Sequence, residues 1–194
     1  MQHEPSKSAL LVMDVQQGVV GRVPGAEVLL QNLKQAIDAA RGAAIKIIYV
    51  RLAFRPWYPD VSPNNRSFSM IAAHAGDAFS EPSPALEIHP LVSPNADDLV
   101  VVKKRVSAFS GSDLELLLRS LQIDHLILTG VATSGVVLST VREAADKDFQ
   151  LTVLSDACLD GDEQVHRLLT EKVFSNQAEV LSVNNWVAGL GLGD

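Results

Sequence analysis

The chain has 194 residues, 47% hydrophobic and 20% charged, and its 16 Lys plus Arg against 23 Asp plus Glu give a net charge of −7. So much apolar character excludes a disordered chain, and the acidic balance argues against nucleic acid or an anionic membrane surface as a partner. A single cysteine, Cys158, excludes an intramolecular disulfide and a cysteine-cluster zinc site, which makes the cytoplasm the expected compartment. The length suffices for one self-contained core, so residues 1–194 are read as a single domain.

In chain order, residues 1–8 are polar and read as a frayed end. Residues 9–13, Ala-Leu-Leu-Val-Met, are a continuous apolar run, as expected of a strand buried on both faces, and the run stops at Asp14. It is far shorter than the ~20 apolar residues that a membrane span requires, and no membrane partner is expected. A helix is predicted over 27–40, where Leu29, Leu33, Ala36, Ile37 and Ala40 share a face, with Pro24 before it and Arg41-Gly42 closing it. A second strand follows at 45–50. Residues 54–93 are rich in Pro, Ser and Asn and read as a long connection of the kind that forms lids or interfaces. A third strand, 99–102, ends in Lys103. Ser112-Asp-Leu-Glu115 has capping-box spacing ahead of Leu114, Leu117, Leu118 and Leu121, so a helix is predicted to start there.

A fourth strand at 125–128 leads through Thr129-Gly-Val-Ala-Thr-Ser-Gly135 into a helix over 136–147. A fifth strand at 151–154, a helix over 163–174 and a sixth strand at 180–183 complete the pattern. Strands alternating with helices imply parallel crossovers, hence a three-layer α/β/α domain with a six-stranded, mostly parallel, Rossmann-like sheet. Ligands of such sheets bind beyond the carboxyl ends of the strands. Asp14, Lys103 and the 129–135 turn all fall there. By spacing alone, Asp14 and Lys103 fit an ordinary ion pair as well as an acid/base pair, and the turn fits a tight connection as well as an anion or oxyanion site.

Three blocks carry a resemblance that covers nearly the whole chain: Ala9-Leu-Leu-Val-Met-Asp-Val-Gln16, Val101-Val-Lys-Lys-Arg-Val-Ser-Ala-Phe109, and residues 126–145, Leu-Ile-Leu-Thr-Gly-Val-Ala-Thr-Ser-Gly-Val-Val-Leu-Ser-Thr-Val-Arg-Glu-Ala-Ala. In order, separation and context they resemble the isochorismatase-like hydrolase superfamily, which includes isochorismatases, nicotinamidases and carbamoylsarcosine-type amidases. The resemblance implies that Asp14 and Lys103 are the catalytic acid/base pair, that the Val131-Ala132 peptide is cis, and that the protein is a homodimer or homotetramer acting on a small-molecule substrate. It also makes Gln16, Val131 and Ala132 candidates for substrate binding, while Trp57 or Arg55, in the long connection, is a candidate for lining the pocket or for a dimer contact.

The sequence departs from the family's amidases at one position. They carry a nucleophilic cysteine six residues after the glycine of the third block, where this chain has Val136. Valine cannot attack a carbonyl, so covalent thiol catalysis is not expected. Cys158, just beyond the fifth strand, reads as a small buried hydrophobe, and Ser134 and Ser139 lack a histidine placed by sequence to activate them. Isochorismatases also lack the cysteine and hydrolyse a vinyl ether by acid/base chemistry, but Ala132, Ser134 and Val136 depart from their turn block, so the substrate is left open. A catalytically silent, ligand-binding or assembly member is the alternative. Nicotinamidases bind a metal through Asp-x-His after the second strand. Residues 50–59 lack that motif, and His3, His74, His89, His125 and His166 share no ligand spacing, so no metal and no cofactor are expected. His166 reads as a satisfied structural histidine, and Gly189-Leu-Gly-Leu-Gly193 as a tail.

Overall fold

The computed structural model describes residues 4–191. Six strands, β1 (Ser8–Met13), β2 (Lys46–Leu52), β3 (Leu99–Lys103), β4 (His125–Val131), β5 (Gln150–Leu159) and β6 (Glu179–Leu181), form one sheet in the order β3-β2-β1-β4-β5-β6. All neighbouring pairs are parallel.

The continuous apolar run of β1 follows from its central place. Ala9, Leu11 and Met13 enter one core and Leu10 and Val12 the other, so both faces need hydrocarbon. The short helix α1 (Gln17–Val20) follows β1. Helix α2 (Ala26–Gly42) begins after Gly25, at φ +85°, and buries Leu29, Leu30, Leu33, Ala36, Ile37, Ala39 and Ala40 against the Leu10 side. On the other face, Leu114 and Leu118 of α4 (Leu114–Ser120) and Val141 and Ala144 of α5 (Leu138–Asp146) pack on Leu11 and Met13.

The structure corrects several boundaries. Residues 4–8 do not fray: Pro5–Lys7 is a 3-10 turn, and the buried Ser8 opens β1 with its hydroxyl 3.0 Å from both the Glu4 carbonyl and His125 Nδ1. Residues 1–3, His3 among them, and the tail beyond Gly191 lie outside the described residues. The 54–93 segment contains α3 (Arg66–His74), capped by the Asn65 side chain, and a small core of Leu52, Phe54 and Phe68. Its Pro, Ser and Asn content serves caps and turns around a helix too short to show in periodicity. The capping box does not form: Asp113 is the N-cap, the Ser112 hydroxyl accepts from Leu114 N at 3.3 Å, one residue short of Glu115, and Glu115 turns to Lys147 at 2.7 Å.

β5 extends past 154 because its polar pair is consumed rather than solvated: the Ser155 hydroxyl donates to the Leu181 carbonyl, and an Asp156 carboxylate oxygen accepts from Val183 N. The predicted 136–147 helix is a π-helical turn, Thr133–Val137, running into α5. The predicted 163–174 helix is α6 (Glu163–Leu168) continued by a π-helical turn, Leu169–Val173, and a 3-10 turn, Phe174–Asn176. β6 stops at Leu181, and Val183 instead opens α7 (Val183–Gly189), which seats Val183 and Trp186 in the α2 core. No helix among the described residues is long and apolar enough to cross a membrane.

Candidate active site

The sheet order changes direction at β1: the chain leaves β1 for β2 on one side, and β4 takes its place on the other. In open parallel sheets the binding crevice lies at such a reversal, here beyond the carboxyl ends of β1 and β4. Asp14 stands at that point with φ +55°, a left-handed conformation that aspartate tolerates better than most residues, and its amide still donates to the Val50 carbonyl at 2.8 Å. Across from it, Gly130 lies so near β1 that a Cβ on it would fall 2.2 Å from the Met13 carbonyl oxygen, and its φ is +137°. Only glycine fits there.

Lys103, at the end of β3, spans β2 to reach Asp14, with Nζ 2.9 Å from Oδ2. Its remaining protons go to the Arg105 carbonyl at 2.9 Å and the Val106 carbonyl at 3.1 Å, so the three donors of the ammonium are all used. Both side chains are almost fully buried, at 2% and 11% exposure. Burial lifts the Asp14 carboxyl above its ordinary range, and Lys103 opposes that rise without cancelling it. The second carboxyl oxygen, Oδ1, is buried with no hydrogen-bond partner among the described residues. An orphaned acceptor of this kind is costly in a folded protein, and a crevice is where a ligand can satisfy it.

Gln16 is fully buried beside this pair, but its amide is engaged by the protein. Nε2 donates to the Leu52 carbonyl at 2.9 Å and the Leu86 carbonyl at 3.0 Å, and Oε1 accepts from Leu52 N at 2.9 Å. It ties the start of the 54–93 segment to the end of β1. Trp57 is not brought to the pair's burial: it is 92% exposed, at φ +65°.

The turn after β4 has the other character. The Val131-Ala132 peptide is cis, and the amides of Gly135 and Val137 both donate to the Ala132 carbonyl. Val136 is 2% exposed in the same apolar cluster as Met13, Leu128 and Cys158. Cys158 lies opposite Gly130, and burial pushes its thiol up to about 12, where no thiolate exists near neutral pH. Two side chains support this turn, His166, which the sequence marks as a structural histidine, and Asp160, which it does not single out. His166 Nδ1 lies 2.8 Å from the Thr133 hydroxyl, and an Asp160 carboxylate oxygen accepts from Ser134 N at 2.7 Å. Partial burial of Asp160 works against its charge, yet hydrogen bonds from Ser134, Asp162 and Gly161 hold its carboxyl below the usual range. An Asp-Gly-Asp segment after a strand was the available signal. Among the described residues no three His, Cys, Asp or Glu side chains converge on a point that could hold a metal.

The isochorismatase domain family matches residues 8–185. The chain belongs to the isochorismatase family. Relatives include the ureidoacrylate amidohydrolase RutB of Serratia proteamaculans, 31% identical over 79% of this chain and 70% of that protein, and the N-carbamoylsarcosine amidase of an Arthrobacter species, 32% identical over 66% of this chain and 48% of that protein. Among solved structures, a cysteine hydrolase from Pseudomonas syringae superposes with a TM-score of 0.90 at 21% identity, covering 98% of this chain and 95% of that one, a likeness of fold. An isochorismatase family protein from Burkholderia thailandensis gives 0.78 at 25% identity over 95% and 96% of the two chains. The three-layer, six-stranded parallel architecture is thus the isochorismatase-like fold.

Proposed function

We propose that this isochorismatase-family chain is a hydrolase that acts on a small polar substrate through Asp14 and Lys103, without a covalent thiol intermediate. The buried Asp14–Lys103 pair carries the reading. Burial shifts the Asp14 carboxyl toward its protonated form, the form that can deliver a proton, and the ammonium 2.9 Å away stabilises the carboxylate left after delivery. On an enol ether, Asp14 would protonate the alkene carbon. Water would add to the resulting oxocarbenium ion, the hemiketal would collapse to a carbonyl compound and an alcohol, and the proton shed by water would return to Asp14. On an amide, water would add to the carbonyl carbon, the C–N bond would break as Asp14 protonates the leaving nitrogen, and the proton shed by the added water would return to Asp14 as the acid forms. Val131 and Ala132 line the substrate's approach in this reading. Gln16, whose amide is spent on Leu52 and Leu86, holds the site together. Val136 stands at the position of the family's nucleophile and supplies no attacking atom, and neither metal nor cofactor is invoked. We expect a single-domain, cytoplasmic homodimer or homotetramer, which light scattering checks for assembly.

A second reading, a catalytically silent member, is favoured by how deeply the site is buried: the Lys103 and Asp14 side chains are 2% and 11% exposed, and Val136 is 2% exposed. A panel of enol ethers, amides (ureidoacrylate and carbamoyl amino acids among them) and lactams separates the two. The hydrolase reading requires turnover by the native chain that Asp14→Ala lowers by at least about a hundredfold. Turnover unaffected by that change, or absent across the panel, leaves the silent reading.

A further inference from the structure

Lys103 and Lys104 are adjacent in sequence and lie on opposite sides of one loop. The carbonyls of Arg105 and Val106 turn inward to the Lys103 ammonium. Outward, the same segment forms one wall of an open cavity of 680 Å³, lined by Lys104, Arg105, Ser110 and Gly111 on this side and by Asp60 and Ser62 on the other, with proline and valine completing it. The charges in the lining are two cations against one carboxylate, on a chain whose net charge is −7.

That carboxylate is already committed. Asp60 accepts from Arg55 N with both oxygens at 3.3 Å and from Arg55 Nη1 at 3.2 Å, while Lys104 Nζ stands 3.6 Å away and donates to the Ala53 carbonyl. Arg105 makes no ion pair among the described residues. Its Nη1 donates to two backbone carbonyls, of Asp60 at 3.1 Å and of Lys104 at 2.6 Å. These bonds fix the guanidinium in the wall without neutralising it, and they leave donors of the five in the fork unspent. Gly111, at φ +74°, packs against the Lys104 stem so closely that a Cβ there would meet the Lys104 Cβ at 3.0 Å, which sets where that ammonium sits. A half-buried, positioned and unpaired arginine beside a lysine and a serine hydroxyl is suited to a planar anion with two oxygens.

We infer that this groove is a subsite for a carboxylate-bearing small molecule, with Arg105 and Lys104 supplying the charge. The inference names the substrate class of the activity proposed above and rests on that reading, because the groove wall and the cradle of Lys103 are one loop. A net positive groove on an acidic chain would also draw such an anion selectively toward the reactive pair.

The test is titration calorimetry on the full chain with matched pairs of a monocarboxylate and its uncharged primary amide: acetate and acetamide, benzoate and benzamide, fumaramate and fumaramide. At least one acid is expected to bind about tenfold or more tightly than its amide. Arg105→Gln and Lys104→Gln should each reduce that preference several-fold, and raised salt should weaken it. Asp60→Asn should increase it, an opposite sign that keeps the test decisive if Arg105→Gln fails to fold. No preference in any pair, or a preference that survives both cation substitutions, overturns the inference. Asp14→Ala should leave the preference in place. A carboxylate preference without turnover by the native chain would overturn the hydrolase reading and spare the subsite.

Discussion

The two strand ends that frame the crevice have been built to different specifications. Beyond β1, the fold buries a carboxyl and an ammonium at 2.9 Å and leaves one carboxyl oxygen without a partner. Beyond β4, Gly130 presses on the Met13 carbonyl, and the turn that follows places Val136 in hydrocarbon. Replacing a buried ion pair by apolar residues is often neutral or stabilising, so stability alone does not explain why charge is kept at the first end and hydrocarbon occupies the second. The asymmetry fits acid/base chemistry at β1 and none of the covalent kind at β4.

The largest effect should come from the junction of the two ends. Gly130→Ala puts a methyl 2.2 Å from a carbonyl oxygen at a φ that L-residues avoid, and is expected to lower stability by about 4 kcal/mol or more in urea denaturation. A near-neutral result would mean that β1 and β4 are not held this close. Next comes the polar end. Lys103→Met strands Asp14 in an apolar setting and should cost about 3 kcal/mol at neutral pH, with a smaller cost in acid, where Asp14 is protonated and uncharged. A cost that does not vary with pH would show that the lysine stem, not its charge, is what matters.

A subtler test reads the proton on Asp14 itself. Its folded pKa is raised, so between its unfolded and folded values the native state holds more protons than the unfolded state, and stability falls as pH rises through that window. The effect is the reverse of that of Asp160, whose lowered pKa makes stability fall as pH drops. Subtracting an Asp14→Asn variant isolates it: the native chain should lose stability relative to Asp14→Asn as pH rises above about 4, with a slope of at most ~1.4 kcal/mol per pH unit. A difference of the opposite sign would mean that Lys103 outweighs burial. The smallest change in stability belongs to the apolar end. Val136→Cys swaps one small apolar side chain for another and should cost less than about 1.5 kcal/mol, yet it places a thiol within the π-helical turn that runs into α5. Iodoacetamide should leave native Cys158 unlabelled; labelling of the folded native chain would contradict the burial of Cys158.

The sheet was legible from the chain because a strand buried on both faces needs a continuous apolar run, and residues 9–13 of β1 and 126–128 of β4 supply one. Asp14 and Lys103 were legible because charge directly after such a run is conspicuous. Other features were hidden in residues whose local meaning is ambiguous. Ser155 and Asp156 read as the end of a strand, and only their bonds to Leu181 and Val183 show the strand continuing. Gln16 read as a contact for substrate until its three bonds to Leu52 and Leu86 were visible. Trp57 reads from sequence as either a pocket wall or a dimer contact, and it is 92% exposed in the single chain. Helix α3 escaped because it lies inside a segment rich in Pro, Ser and Asn, and α7 because Val183, its first residue, reads equally well as the last of an apolar strand.

By itself the sequence determined the alternation of strands and helices, the positions of the charges beyond the strands, and the absence of a thiol at the turn, since each of these is local in the chain. Whether Asp14 and Lys103 meet, how far burial lifts the carboxyl, and which side of the 104–106 loop each lysine takes were decided only by tertiary structure. The physical reason is that proton affinity and ion pairing depend on solvent exclusion and on distances between strands, and neither quantity exists until the sheet has assembled.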